Sequence, residues 1–481
     1  MTDKTLKNKT ASGLAWGALN SFMTQLLGMV IGIFLARLLS PGEYGMVGML
    51  AIFSAIAGSL QESGFNAALT NLPKATHREY NAVFWFSSAV SVSLYLILYI
   101  CSPLIAQFFH QPELVGLSHL VFASFVMAGI GTAHSAYMFR NMMNKEKAIM
   151  GAIALIVSGT VGITLAWKGY SYWSLAWQQF AFITTINIGR LYYVRWLPSL
   201  KVDFTPVREM FGFSSKLLLT NIINQVNNNV LSVIFGRLFS PVDVGNYAQA
   251  AKWNNMGHSL ITGSIQQVAQ PVLASVNDEE GRQVKIFRKM LRFAAFLAMP
   301  AMLGLASVAD FVPLLLGEKW RDAVILLRIL CVSGAFMPLH TLYQNLFISH
   351  GRSDTYMWCI LAQVLVQTGV ILYFSTFGVT IMVAAYSAVL ILWLAVWQWL
   401  TRRLTGLHFR EVAMDVCPFL LIAAACVGLG WGASVIVPHP ALSIAVRIVV
   451  AALLYIIVMK VSGAQIFKEC VQFLLKKGHT G

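Results

Sequence analysis

The sequence predicts an all-α polytopic membrane protein with about fourteen transmembrane helices, forming two six-helix lobes and two further C-terminal helices. Three observations predict this fold class: the composition, a series of apolar spans and an internal repeat. The chain of 481 residues is 57% hydrophobic and 11% charged, with a mean hydropathy of +0.68, whereas a soluble protein carries about 25% charged residues. Most of the chain is therefore expected to lie against lipid or against other parts of the protein.

The apolar residues fall into stretches of about 18 to 25, the length that crosses a bilayer as a helix. The segments between them are too short to hold a soluble domain. The basic segment before the first stretch has no convincing cleavage site, which favours a retained first helix over a signal peptide. The predicted spans lie near residues 14–38, 44–64, 81–106, 114–138, 148–167, 171–193, 211–237, 244–268, 290–313, 322–348, 355–375, 377–400, 415–436 and 441–461.

The distribution of Lys and Arg orients these spans. With the N-terminus inside, 26 of the 34 Lys and Arg residues fall in inner segments and 5 in outer segments, while Lys252, Arg328 and Arg447 lie within spans. Because short loops rich in Lys and Arg stay in the cytoplasm, both termini are expected there, with an even number of spans. One misplaced span would disturb the alternation, so the count of fourteen gains support.

An internal repeat relates the first six spans to the next six. The first and seventh spans end in matching motifs, with two later positions also in step: Arg37-Leu38-Leu39-Ser40-Pro41 and Arg237-Leu238-Phe239-Ser240-Pro241, then Glu43/Asp243 and Gly45/Gly245. Residues 59–62 match 264–267, and 134–137 match 340–343. Each repeat holds an even number of spans, so the halves should be related by a pseudo-two-fold axis along the membrane normal, with a site between them. The predicted divisions are 1–200, 201–405 and 406–481.

The seventh and eighth spans each carry a stripe of polar residues at helical spacing. The stripes consist of Asn221, Asn224, Gln225, Asn228 and Ser232, and of Lys252, Asn255, Ser259, Thr262 and Gln266. Amides in membrane helices can hold neighbouring helices together, at about 0.6 kcal/mol each. Alternatively, they can line a water-filled cavity and donate to sugar hydroxyls and phosphate oxygens. The number of amides favours the cavity, so these stripes are candidate binding residues.

Cations within the spans are candidates for binding an anion. Lys252 lies about 12 Å inside the outer end of its helix, where a cation costs roughly 2.5–3.5 kcal/mol. It should either face the cavity or reach back to the headgroups. Arg328 is expected either to bind an anionic ligand or to pair with Asp310 or Asp322, and neither alternative is favoured. His258, one position off the stripe, is expected to be a packed, hydrogen-bonded neutral histidine.

Other arginines have simpler interpretations. Arg447, outside the repeat, is expected to extend toward the headgroups. Arg37 and Arg237 close the first helix of each half, where helix capping and headgroup contact explain them. Their symmetry also makes them candidates for an outer gate.

The absence of certain residue types from the spans limits the classes of function that the protein can have. All 19 carboxylates lie at span ends or in loops, so the mid-membrane Asp or Glu of a proton or sodium carrier is lacking. The cations within the spans match an anion such as a phosphate or diphosphate. The sequence has no Walker loop, and its six Cys form no CxxC pair, so no metal, cofactor or disulfide framework is expected. Because the net charge of +15 sits between apolar runs, it indicates topology and not nucleic-acid binding.

The repeat motifs carry a family resemblance. The stretches ARLLSPGEYG and FGRLFSPVDVGNYAQA, with the proline of Gln270-Pro271, resemble those of bacterial polysaccharide flippases. These form the polysaccharide-transporter branch of the multidrug/oligosaccharidyl-lipid/polysaccharide exporter superfamily. The resemblance covers roughly residues 10–400 and is strongest to lipopolysaccharide and colanic-acid exporters. It implies two lobes around a central cavity, alternating access, and an undecaprenyl-diphosphate-linked glycan as cargo.

The expected function is therefore a flippase of the bacterial inner membrane, working in lipopolysaccharide, capsule or exopolysaccharide biosynthesis and not as an enzyme. Its partners would be the lipid-linked glycan, membrane lipids and glycan polymerase or assembly proteins. A multidrug/cation antiporter of the same fold is an alternative, although it should carry an intramembrane carboxylate. A polytopic glycan polymerase or ligase is a second alternative, although it should have an enlarged outer loop.

Overall fold

A computed structural model describes residues 23–62, 69, 72, 75–276, 280–469 and 472. The described residues fold into α-helices, two 3-10 turns and short connections. They divide into two compact units, up to Gly245 and from Asn246 onward. The helices are α1 Met23–Leu38, α2 Pro41–Glu62, α3 His77–Phe109, α4 Leu114–Ile130, α5 Thr132–Arg140, α6 Asn144–Trp167, α7 Trp173–Tyr193, α8 Thr205–Leu238, α9 Pro241–Ser275, α10 Glu280–Ser307, α11 Phe311–Leu316, α12 Asp322–Gly334, α13 Met337–Ser349, α14 Ser353–Phe374, α15 Val379–Thr405, α16 Phe409–Ser434 and α17 Pro440–Val461.

Helical segments occupy each of the fourteen predicted spans, and two of those spans are broken in the middle. Among the described residues, eight helices are long and apolar enough to cross a membrane, or nine if one bent pair counts as a single span. The predicted start of the first span near residue 14 lies outside the described residues, as do the side chains of 57–62. The all-α polytopic fold is confirmed.

The repeated Ser-Pro motif is a helix start. The carboxylate of Glu43 accepts hydrogen bonds from the backbone N–H and the hydroxyl of Ser40, the latter at 2.8 Å. The carboxylate of Asp243 likewise accepts hydrogen bonds from the backbone N–H of Ser240 at 3.1 Å and from its hydroxyl at 2.7 Å. In both places proline is the first helical residue, where no backbone N–H is needed. The repeat therefore encodes the same capping box at the start of α2 and of α9.

The two broken spans are the fourth and the tenth, which correspond in the repeat. In the first unit α4 and α5 meet at Gly131 with a bend of 47°. In the second unit α12 ends at Gly334 and α13 begins at Met337. After each break a buried histidine contacts a distant backbone carbonyl. His134 Nε2 lies 3.2 Å from the Trp196 oxygen, and His340 Nε2 lies 2.9 Å from the Leu390 oxygen. The sequence match between 134–137 and 340–343 thus marks a shared structural detail.

In the first unit the helix α8 packs on α2 and α3. A Cβ added to Gly236 would lie 2.6 Å from Phe109 and 2.9 Å from Met49, so glycine allows this close approach. This packing places α8 in the first unit, although the repeat assigns it to the second half. The division predicted at residues 200 and 405 stays a prediction, because packing and internal symmetry need not coincide.

The connection between α7 and α8 is held against the start of α3. Asn81 donates to the Lys201 carbonyl at 2.9 Å and accepts from the Ser199 N–H at 2.8 Å. Asp203 accepts hydrogen bonds from Thr205 and pairs with Arg78 at 2.6 Å. Because these bonds favour the charged carboxylate, those from Thr205 first, the pKa of Asp203 is lowered to about 2.

In the second unit the C-terminal helices α16 and α17 pack on each other and on α10. Arg288 of α10 pairs with Asp415 at 2.6 Å and with Glu411 at 2.7 Å. Farther along, the Tyr455 hydroxyl donates to the Phe296 carbonyl at 2.9 Å. The last two helices are therefore attached to the second unit at several levels.

Candidate functional site

The helix α9 has one face that packs against its own unit. Trp253 contacts the ring of Phe311, with centroids 4.9 Å apart. A Cβ added to Gly257 would lie 2.9 Å from both Met302 and Leu305 on α10. Trp253, Asn254 and Ile265 are buried and lie within about a quarter turn of Gly257 around the helix. The packed face therefore has spacings of three, four and eight residues, as expected for one side of a helix against a core.

The predicted polar stripe lies on the opposite face of α9. Asn255 and Gln266 are exposed, while Lys252, Ser259 and Thr262 are half-buried. These residues are separated by about half a helical turn from Gly257, which packs against α10. The polar groups are thus directed away from the core of their own unit, and the helix can present a cation and several hydrogen-bonding groups to a ligand.

His258 lies at the edge of this stripe and organises part of it. The imidazole is buried, with Nε2 at 3.2 Å from Asn255 Oδ1 and Nδ1 at 3.4 Å from Thr262 Oγ1. A neutral ring with its proton on Nε2 satisfies both contacts, donating to the amide and accepting from the hydroxyl. The prediction of a packed, hydrogen-bonded histidine is confirmed, and this residue positions two members of the stripe.

The polar face continues beyond the predicted stripe. Gln267 and Gln270 are also exposed, and Gln270 lies one helical turn after Gln266. Pro271 lies inside α9 and has no N–H, so the Gln267 carbonyl loses its usual helical hydrogen-bond donor. In the sequence, Gln270 follows Gln266 by four residues, and this helical spacing would have allowed the predicted stripe to be extended to Gln270.

The amides of α8 are only partly described. Asn221 and Gln225 are half-buried, and the side chains of Asn224 and Asn228 lie outside the described residues. The amide of Asn229 donates to the Gln225 carbonyl at 2.9 Å, so at least one amide is used within its own helix. Since α8 belongs to the first unit and the stripe of α9 to the second, the structure does not test whether the two stripes act together.

Arg328 is part of an ion-pair cluster. Its guanidinium donates to Asp310 Oδ1 at 2.8 Å, and both side chains are about two-fifths exposed, at 41% and 44%. Of the two alternatives kept open for Arg328, the ion pair with Asp310 is the one that the structure contains. Arg328 therefore does not reach a ligand as an unpaired cation.

Arg447 belongs to the same cluster, which corrects its interpretation as a side chain extending into the headgroups. It donates to Asp310 Oδ2 at 2.8 Å, to the Ser307 carbonyl at 2.7 Å and to the Ser434 hydroxyl at 2.9 Å. Its side chain is only 14% exposed. Hydropathy could not reveal this, because Asp310 and Arg447 are 137 positions apart and meet only through packing.

The two candidate gate residues are both exposed. Arg237 lies against the imidazole of His110, 2.9 Å from Nε2, and over the ring of Phe108 at 5.5 Å. These contacts lie within the first unit, at the end of α3. The role of Arg37 and Arg237 in a gate stays a prediction.

The chain is similar to known proteins in sequence and in fold. A family model described as "Polysaccharide biosynthesis protein" matches residues 34–325, more than half of the chain. The chain is 24% identical over 495 residues to the teichuronic acid biosynthesis protein TuaB of Bacillus subtilis, covering 97% of this chain and 98% of that protein. It is 25% identical over 358 residues to the lipopolysaccharide biosynthesis protein WzxC of Escherichia coli, covering 73% and 72%. The succinoglycan biosynthesis transport protein ExoT of Rhizobium meliloti is 23% identical over 420 residues, covering 86% and 83%.

Solved structures share the fold. The lipid II flippase MurJ in an inward closed conformation superposes with a TM-score of 0.74 at 12% identity, covering 92% of this chain and 98% of that structure. An inward-facing multidrug transporter of the MATE family superposes with a TM-score of 0.64 at 16% identity, covering 80% and 95%. Because identity is this low, these likenesses establish the fold and leave the cargo to be argued from the residues.

Proposed function

The chain belongs to the polysaccharide biosynthesis protein family, and from this premise we propose that it is a flippase for a lipid-linked oligosaccharide. It moves an undecaprenyl-diphosphate-linked glycan from the cytoplasmic to the outer leaflet of the bacterial inner membrane by alternating access. WzxC and ExoT, named for lipopolysaccharide biosynthesis and succinoglycan transport, support a glycan as cargo. The shared fold with a lipid II flippase supports a lipid-linked form of that glycan.

The observation that carries this proposal is the exposed polar face of α9. A helix of a membrane protein gains nothing from placing a lysine and several amides away from its own core, unless they meet water or a polar ligand. Lys252, Asn255 and Gln266 lie on that face. A ligand with both a diphosphate and sugars would use the cation and the amides together.

Each group on this face has a distinct role in the proposed mechanism. The ammonium of Lys252 donates charge-assisted hydrogen bonds to the diphosphate. The amides and hydroxyls donate to and accept from sugar hydroxyls, and they tolerate different sugars because their side chains can rotate. Since Arg328 is paired with Asp310, we assign the phosphate contact to Lys252. The polyprenyl tail remains in the lipid, and no bond of the cargo is broken.

The membrane potential can drive this transport without ATP. Moving a negative charge outward across an inside-negative membrane is favourable by about 2.3 kcal/mol per 100 mV. A diphosphate carries more than one such charge, so the potential acts in the direction of export. Transport into the lumen of proteoliposomes should therefore accelerate when a lumen-positive potential is imposed, and indifference to the potential would exclude this driving force.

The test of the site is substitution of Lys252 in a strain that lacks the chromosomal copy. Losing a hydrogen bond to a charged group costs about 1.5–3 kcal/mol, so Lys252→Ala should reduce glycan export about tenfold or more. Lipid-linked repeat units should accumulate on the cytoplasmic leaflet, while protein abundance on immunoblots stays near normal. Lys252→Arg, which keeps the charge, should retain much of the activity.

A matched control is Lys285→Ala, which removes an exposed lysine at the start of α10 and should leave export unchanged. If Lys252→Ala exports glycan at the wild-type rate, Lys252 is not in the binding site. If the deletion strain itself accumulates no lipid-linked units on the cytoplasmic leaflet, the flippase proposal fails as a whole.

A further inference from the structure

A crevice opens on the second unit where α10, α16 and α17 meet. Its volume is about 430 Å³, within the range of about 300–1,000 Å³ that holds small ligands. Apolar side chains dominate its lining, and several are small: Ala301, Gly304, Ala423, Ala451 and Ala452. Ala452 is exposed, so the crevice is open to the surroundings of the helices and not sealed within the unit.

The crevice runs along the helices for about the depth of one leaflet. Its lining on α17 extends from Arg447 to Ile456, which is about 13 Å at 1.5 Å per residue. Half of the hydrocarbon core of a bilayer is about 15 Å. A linear hydrocarbon chain belonging to a single leaflet therefore matches the crevice in length as well as in polarity.

Arg447 lies at the end of the crevice where two helices terminate. Its guanidinium bonds to the carbonyl of Ser307 and the hydroxyl of Ser434, the last residues of α10 and α16. Membrane helices end near the boundary between hydrocarbon and headgroups. The charged end of the crevice is thus at the level of lipid headgroups, and the apolar part extends toward the bilayer centre.

The charge at this end favours an anion. Two guanidinium groups, of Arg328 and Arg447, face the single carboxylate of Asp310, which leaves a net positive charge. The hydrogen bonds of Arg447 use Nε and Nη1, and Nη2 donates to none of the described residues. A phosphate oxygen would complete the guanidinium's hydrogen bonding.

We propose that this crevice binds an anionic phospholipid, with one acyl chain along α17 and the phosphate on Arg447. The lipid would join the C-terminal helices to the rest of the second unit, filling space that side chains leave open. This site is separate from the polar face of α9, and the proposal does not depend on the cargo.

Gly304 offers a test that leaves the fold intact. A Cβ at Gly304 would meet no atom within 4 Å, so the side chain of Gly304→Leu starts without a clash and extends into the crevice, and leucine is a better helix former than glycine. The control is Gly369→Leu on α14, another position where a Cβ meets no atom within 4 Å. A second variant, Arg447→Gln, keeps a polar, hydrogen-bonding side chain but removes the charge.

The experiment measures lipids retained by the full-length protein. The protein is reconstituted in nanodiscs of phosphatidylglycerol and phosphatidylethanolamine, released into mild detergent and examined by native mass spectrometry. Wild type and Gly369→Leu should each retain one phosphatidylglycerol, and Gly304→Leu should bind it at least about tenfold more weakly. Arg447→Gln should lose the preference for phosphatidylglycerol over phosphatidylethanolamine.

Two results would overturn the proposal. One is equal retention of phosphatidylglycerol by wild type and Gly304→Leu. The other is displacement of the bound phospholipid by an equimolar polyprenyl phosphate, which would assign the crevice to the isoprenoid carrier. The Gly304→Leu variant should still export glycan in the Lys252 assay, so failure of this proposal can be told apart from failure of the flippase function.

Discussion

Gly45 of α2 lies against the start of α9, and Gly245 of α9 lies against the start of α2. A Cβ added to Gly45 would lie 1.8 Å from the Pro241 carbonyl oxygen, and one added to Gly245 would lie 1.8 Å from that of Pro41. The contact is reciprocal, with the start of α2 against the start of α9. The repeat thus preserves glycine at both positions for a physical reason, since only a hydrogen can occupy the space between these two backbones.

Substitution of Gly45 should therefore destabilise the protein. Alanine within a helix is normally more favourable than glycine by about 1 kcal/mol, but overpacking against a backbone costs about 1–3 kcal/mol. Gly45→Ala is expected to lower the melting temperature in detergent. Three residues earlier, a Cβ on Gly42 would be at an ordinary 3.6 Å from Val242, so Gly42→Ala should be neutral or stabilising. Equal melting temperatures for the two variants would contradict the close contact.

The C-terminal helix pair is held by ion pairs at both ends. At one end Arg288 meets Asp415 and Glu411, and at the other Arg447 meets Asp310. The two carboxylates that bind Arg288 differ in burial, since the side chain of Asp415 is 7% exposed and that of Glu411 is 36% exposed. Because burial sets the strength of an ion pair, Asp415 should contribute more than Glu411 to holding α16 against α10.

Asp415→Ala should be far more damaging than Glu411→Gln. Removing one partner of a buried pair costs about 3–5 kcal/mol, because the other charge remains without compensation, whereas an exposed pair contributes about 0–1 kcal/mol. Thermal unfolding in the same detergent measures the difference, and limited proteolysis shows whether α16 and α17 detach first. Comparable losses in the two variants would show that burial does not set the strength of this attachment.

At the scale of the whole molecule, the charge distribution predicts the orientation in the membrane. The count of 26 inner against 5 outer Lys and Arg residues predicts that the loop before α7 lies outside and the connection before α8 inside. Single cysteines at Tyr170 and Leu200, both exposed at 54% and 88%, report on these two segments in a variant without native cysteines. In intact cells, an impermeant thiol reagent should label position 170 and not position 200. The reverse pattern would invert the topology and, with it, the direction of transport.

The sequence by itself determined the all-α polytopic fold, the internal repeat and the polar face of α9. These properties depend on composition and on periodicity along one helix, because each membrane helix satisfies its own backbone hydrogen bonds and reveals its polar side locally. The capping boxes at Ser40 and Ser240 were likewise local, which is why the repeat could be found before its structural reason was known.

Only the tertiary structure decided which distant groups meet. It paired Arg328 and Arg447 with one carboxylate, Asp310, and it placed α8 with the first unit despite the repeat. It also revealed the crevice beside Gly304, which comes from small residues on α10 and on the helix pair α16 and α17, far from α10 in the sequence. Such contacts depend on how side chains of different helices interlock, and no pattern within a single helix contains that information.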